Sequence, residues 1–138
     1  MRLVVLIDNC AINGRNLKGE GGASYYIEDE DKKFLLDTGA SGLFMENAKN
    51  LDIDLDNIDT VVLSHGHYDH AHHARMVADA FGVPVYASEK EEATMHDIQK
   101  NVSAMFGNPE TYDADVYAKD GDVLDLAGFK IKVISTPG

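Results

Sequence analysis

Five of the six histidines fall within nine residues, His65 to His73, directly behind the apolar run Thr60-Val61-Val62-Leu63. The segment Ser64-His65-Gly66-His67-Tyr68-Asp69-His70-Ala71-His72-His73 gathers imidazole nitrogens and one carboxylate at the end of a buried strand, which is the ligand chemistry of zinc and similar first-row metals. His65 and His67 are two residues apart, so in extended backbone their side chains share a side and can close on one ion. Asp69 and His70 follow where the chain should turn into a helix, so a single loop can serve two neighbouring ions. Gly66 takes away a side chain where backbone must approach the ions, and permits positive φ if the loop needs it. The alternative is a surface histidine cluster or a tag. A tag would sit at a terminus and lack the preceding strand.

The rest of the chain reads as one mixed α/β domain. Leu3 to Ile7 is a short strand, and a loop rich in Gly and Asn runs to Gly22. Residues 23–28 and 34–36 form a hairpin across Asp29-Glu30-Asp31. Leu43 to Leu51 has helical spacing with Ser41 as cap candidate, and Asp52 to Asp59 is an acidic connector. Ala71 to Phe81 reads as a helix closed by Gly82, and Pro84 opens the strand Val85 to Ala87. Ser88 to Phe106 reads as a second long helix, with Ser88 capping and Glu91 in capping-box register. Residues 116–118, 123–126 and 129–134 read as strands, the last two joined by a tight turn at Ala127-Gly128. His96 belongs to a solvated helix face, and Met76, Val77, Ala80 and Phe81 form a core stripe.

Composition narrows the function classes. At 138 residues, with 44% hydrophobic and 26% charged residues, the chain suits one globular domain with a real core. The formal charge of −12, from 24 acidic and 12 basic residues, repels a phosphate backbone or an anionic membrane, so neither nucleic acid nor membrane is an expected partner. Cys10 is the single cysteine, and the apolar stretch at the N-terminus is too short for a signal peptide or membrane span, so a reducing cytoplasm is the expected compartment. Ser64 is not read as a nucleophile, because the adjacent imidazoles are better used on metal.

Residues Ser64 to His70 resemble the signature of the metallo-β-lactamase superfamily. Phe34-Leu35-Leu36-Asp37-Thr38-Gly39 resembles that family's early strand ending in Asp-x-Gly. Gly121-Asp122-Val123-Leu124 and Ile134-Ser135-Thr136-Pro137-Gly138 resemble the hairpin and strand leading to its next ligand histidine. The resemblance implies an αββα sandwich, of which residues 1–138 look like the N-terminal half, with a mixed sheet and helices on one face. It implies that His65 and His67 ligate one metal, that Asp69 and His70 ligate a second, and that Asp37 supports the site from behind. Tyr68 and His73 complete the candidates, His73 because it lies three residues after His70. Two departures stand out. His72 and His73 replace the small-residue pair that many hydrolytic members carry, and the chain stops at Gly138 before the family's later ligands.

The implied activity is metal-dependent hydrolysis of a thioester or related small acyl substrate, with zinc-generated hydroxide as nucleophile and Asp69 as the catalytic carboxylate. Zinc is the expected metal, two ions in a complete site, with iron or manganese as alternatives. Leu36 to His70 resembles the dihydropterin-phosphate-synthase-like branch, and Phe106 to Gly138 resembles glyoxalase II-type hydrolases. The alternatives are a truncated or engineered half-domain that binds metal with little turnover, and a metal-dependent oxidoreductase or dihydropterin-type synthase on the same fold. An apolar sheet face and incomplete ligand shells further imply self-association or a C-terminal partner fragment.

Overall fold

Six short, largely apolar strands pair into one mixed sheet: β1 (Arg2–Ile7), β2 (Ser24–Asp29), β3 (Lys32–Leu36), β4 (Thr60–Val62), β5 (Val85–Ser88) and β6 (Val116–Ala118), in that order across the sheet. The computed structural model describes residues 1–11, 16–126 and 128–136. β1 to β3 are antiparallel neighbours, and β3 to β6 are parallel ones. Parallel pairing needs crossovers. These are α1 (Leu43–Asn50) between β3 and β4, then α2 (Tyr68–Ala71) and α3 (Ala74–Phe81) between β4 and β5.

Strand alternation sorts the two faces. The cross-strand row Tyr26, Leu35, Val61 and Val85 is buried under Phe44 and Ala48 of α1 and under Ala74, Val77 and Ala78 of α3. The neighbouring row Tyr25, Leu36, Val62 and Tyr86 points the other way. Over that face lies a separate hairpin, β7 (Val123–Leu126) with β8 (Phe129–Lys132), which sets Phe129 edge-on to Phe34 at 5.4 Å. Between hairpin and sheet is an apolar cavity of about 400 Å³ lined by Ile27, Phe34, Leu36, Val62, Leu124 and Ile131.

Because β3, β4 and β5 run in parallel, the segments after each of them collect at one end of the sheet: Asp37 after β3, the histidine loop after β4 and Glu89–Glu91 after β5. The carboxyl ends of parallel strands are where open α/β sheets hold ligands.

The two long helices expected from periodicity are both broken. The stretch 71–81 contains a bend at His72 and His73, because the His73 N–H donates to Thr38 Oγ1 (3.2 Å) and its backbone, at φ −101° and ψ 1°, leaves the helix before α3 starts. Gly82 does end α3, at φ 68°. The stretch 88–106 holds only a 3₁₀ turn at Glu89–Glu91, α4 (Glu92–Met95) and a 3₁₀ turn at Ser103–Phe106. Ser88 caps this region through Lys90 N–H, but Glu91 spends its carboxylate on the Gly66 N–H instead of a capping box. Helix beyond Met95 is prevented by Asp97, whose carboxylate accepts from Gln99 and Lys100, and by the fully buried Asn101. The Asn101 side chain donates to the Met95 and Glu110 carbonyls. The N-cap of α1 is Gly42, one residue past Ser41, although Ser41 Oγ accepts from Leu43 N–H at 3.2 Å. β8 stops at Lys132, and the expected turn at Ala127 and the terminal Pro137-Gly138 lie outside the described residues.

Candidate metal centre

The site is built on a buried carboxylate. Asp37 is 2% exposed and sits at φ 58°, a left-handed conformation that aspartate tolerates better than most residues. Both oxygens are used: Oδ1 accepts from the Ser64 N–H at 2.8 Å, while Oδ2 accepts from Ser64 Oγ at 2.6 Å and pairs with His70 Nδ1 at 2.9 Å. One side chain thus fixes the start and the end of the histidine loop. Thr38 adds a second clamp, its N–H and its Oγ1 both donating to the His70 carbonyl at 2.8 and 3.0 Å. From the third strand end, Glu91 Oε2 accepts from the Gly66 N–H at 3.0 Å.

These clamps bring the rings of His65, His67 and His70 together. The His65 centroid lies 4.7 Å from that of His67 and 4.0 Å from that of His70. Asp69 joins them, its Oδ2 3.8 Å from His70 Nε2. With His70 Nδ1 engaged by Asp37, Nε2 is the free donor of that ring. Burial draws the His65 ring below the ordinary imidazole range, and the charges of His70 and His67 push it the same way. Burial acts on His70 in the same sense, but the Asp37 hydrogen bond and charge outweigh it, so His70 is raised.

Three imidazoles and a carboxylate on one short loop are donors that a first-row metal takes. Two imidazoles on a shared ion, each with a metal–nitrogen distance of about 2 Å, stand with ring centres roughly 5 Å apart. The rings here are somewhat closer, and among the described residues no three His, Cys, Asp or Glu side chains form a ready cage. The donor chemistry fits a metal, and the 4.7 Å between the His65 and His67 rings is close to the spacing of two imidazoles on one ion.

The remaining candidates lie beside this group. Tyr68 stacks on Phe106 with centroids 5.0 Å apart and on His72 at 4.6 Å, while its N–H donates to the Asn101 carbonyl. The His73 ring packs against His72 (4.6 Å) and Phe44 (6.2 Å), on the core side of the bend, rather than with the other three rings. His72 Nδ1 is 3.2 Å from Glu110 Oε2 but makes no hydrogen bond of good geometry there, so that contact is electrostatic. His96 is exposed and pairs with Asp113 at 2.6 Å. Cys10 is exposed and takes no part.

Gly66 has a different use from the one its position suggests. Its φ is not positive, and a Cβ there would come within 2.5 Å of Met95 Cγ. The loop needs glycine because α4 packs against it. Sequence reasoning also missed Thr38, Glu91 and Asn101, which act through backbone contacts 25 to 35 residues away and leave no local pattern.

Comparison with known proteins agrees with this geometry. The sequence profile of the metallo-beta-lactamase superfamily matches residues 17–138. The chain is 30% identical over 125 residues to a probable metallo-hydrolase of Streptococcus pyogenes, covering 86% of this chain and 53% of that protein. It is 31% identical over 80 residues to the exodeoxyribonuclease WalJ of Streptococcus pneumoniae, covering 57% and 30%. To the hydroxyacylglutathione hydrolase GloC of Haemophilus influenzae it is 26% identical over 116 residues, covering 80% and 53%. The fold matches BJP-1, a subclass B3 metallo-beta-lactamase of Bradyrhizobium japonicum, with a TM-score of 0.67 at 20% identity, over 84% of this chain and 46% of that one. The chain spans about half the length, or less, of these relatives. A profile match over nearly the whole sequence, joined to this fold and this histidine loop, makes the chain a member of the metallo-beta-lactamase superfamily.

Proposed function

We propose that the chain is a metal-dependent hydrolase acting on a thioester or related small acyl substrate, with His65, His67, Asp69 and His70 as its metal ligands. The observation that carries this is the gathering of the His65, His67 and His70 rings at the carboxyl end of β4, with Asp69 Oδ2 3.8 Å from His70 Nε2. A bound first-row ion supplies Lewis acidity, which makes water acidic near neutral pH. The chain's own residues supply the rest. His65, His67 and His70 present nitrogen donors. Asp37 holds the His70 ring in one orientation and keeps Nε2 free. Asp69, partly open beside the rings, holds the attacking water and takes up its proton.

Thioesters are favoured over nucleic acid by the formal charge of −12, which repels polyanions, and by the similarity to the hydroxyacylglutathione hydrolase. The test is hydrolysis of a hydroxyacyl-glutathione thioester by zinc-loaded protein. Measurable turnover that falls by about 10²-fold or more in Asp69→Asn supports the reading. Cleavage of DNA ends with no thioester turnover contradicts it.

A further inference from the structure

The proposed chemistry gives Ser64 no part, yet its hydroxyl joins two groups which that chemistry uses. Ser64 Oγ is 2.6 Å from Asp37 Oδ2 and 3.0 Å from His65 Nδ1. A carboxylate only accepts, so the single hydroxyl proton points to Asp37, and toward His65 the oxygen can only accept. The 3.0 Å contact is then a hydrogen bond when His65 Nδ1 carries the ring proton, which in the neutral ring leaves the Nε2 lone pair bare. His70 reaches the same state directly, through Nδ1 on the same Asp37 oxygen.

We propose that Ser64 is a positioning residue for His65, passing the hydrogen-bond polarity of Asp37 one residue further, so that one buried carboxylate sets the tautomer of two rings. Ser64 is exposed as a residue, and these two hydrogen bonds orient its hydroxyl. His67 has no such tether among the described residues, so the relay sets His65 and His70 alone. The consequence for a metal is pre-organisation: two Nε2 donors are in the ligating tautomer before an ion arrives. This consequence rests on the metal-ligand reading above, whereas the tautomer assignment does not.

The test uses metal-free protein labelled with ¹⁵N at histidine, read by long-range ¹H–¹⁵N correlation at an alkaline pH where the rings are neutral. Wild type is expected to show the Nδ1–H pattern at both His65 and His70. In Ser64→Ala, His65 loses that pattern while His70 keeps it, and Ser64→Thr restores His65. Zinc competition follows the same order, Ser64→Ala weakening uptake about ten-fold and Ser64→Thr recovering it. The relay is overturned if wild-type His65 carries its proton on Nε2 or if Ser64→Ala leaves its pattern unchanged. It is equally overturned if His65 and His70 change together in Ser64→Ala, which would make Ser64 a general support of the loop. Wild type that shows both Nδ1–H rings but takes up no zinc would support the relay and defeat the metal-ligand reading.

Discussion

The Asp37–His70 contact makes the site's response to pH calculable in sign. His70 is raised in the folded chain, so the stability it contributes is complete below its unfolded value, about 6.5, and is lost as pH rises through the folded value. His65 is lowered, so it contributes the opposite trend. The metal-free fold loses stability from this ring as pH drops below about 6.5 toward the folded value. If His70 ligates zinc as proposed, the ion has to displace the ring's proton, and the expected result is an apparent affinity that climbs as pH passes upward through the raised value. Replacing Asp37 with Asn removes the charge that raises His70. The expected result is a lower His70 midpoint in an NMR titration of metal-free protein, together with roughly 10- to 100-fold weaker zinc binding. An unmoved midpoint would mean that the 2.9 Å contact is not what holds the ring.

Gly66 and Met95 form the second residue-scale test. A methyl at Gly66 meets Met95 Cγ at 2.5 Å and Met95 N at 3.3 Å, so relief needs movement of α4 as well as of a flexible side chain. Gly66→Ala is expected to cost about 1–3 kcal/mol in denaturant unfolding, as overpacking does. Met95→Ala leaves a cavity and costs about 2–5 kcal/mol. Because the added and removed groups occupy the same space, the double variant should cost less than the sum of the two. Strict additivity would show that the loop and α4 do not touch as described.

Among the elements, the segment after β5 departs most from what periodicity suggests, and it is the one that frames the site from the side. Its apolar residues recur at helical spacing, but two side chains bid for its backbone. Asp97 takes two N–H groups, while Asn101 takes the Met95 and Glu110 carbonyls and also accepts from the Ser103 N–H. Asn→Ala at position 101 would strand these buried groups and release the Asn101–Tyr68 register. We expect about 2–4 kcal/mol of destabilisation and faster hydrogen exchange at the Tyr68 amide, which donates to the Asn101 carbonyl. Unchanged exchange at Tyr68 would separate the segment from the site. The same comparison shows what the sequence could and could not reveal. Strands β1 to β6 were legible as short apolar runs between turn residues, and helix α1 by the helical recurrence of its apolar residues. The bend at His72-His73 was not, because it depends on the Thr38 hydroxyl arriving from another strand end. His65, His67, Asp69 and His70 were legible as a group because they share one loop. The parts played by Ser64, Glu91 and Asn101 become visible only once β3, β4 and β5 are aligned in parallel.

For the molecule as a whole, the parallel strands explain why a short chain can concentrate this much chemistry at one end. Asp37, the histidine loop and Glu91 are delivered by three adjacent strands, and the helices bury the opposite ends of the same residues' supports in one core. No helix among the described residues is long and apolar enough to cross a membrane, and the formal charge of −12 sets the surface against polyanions. On the proposed reading the whole arrangement is a metal centre. The most direct measurement is zinc content after exhaustive dialysis, by elemental mass spectrometry, in wild type, in the His65→Ala/His67→Ala double variant and in His96→Ala. Wild type and His96→Ala should retain zinc in stoichiometric amount, and the double variant should lose tight binding at one site. Equal zinc in the double variant and wild type would contradict the account.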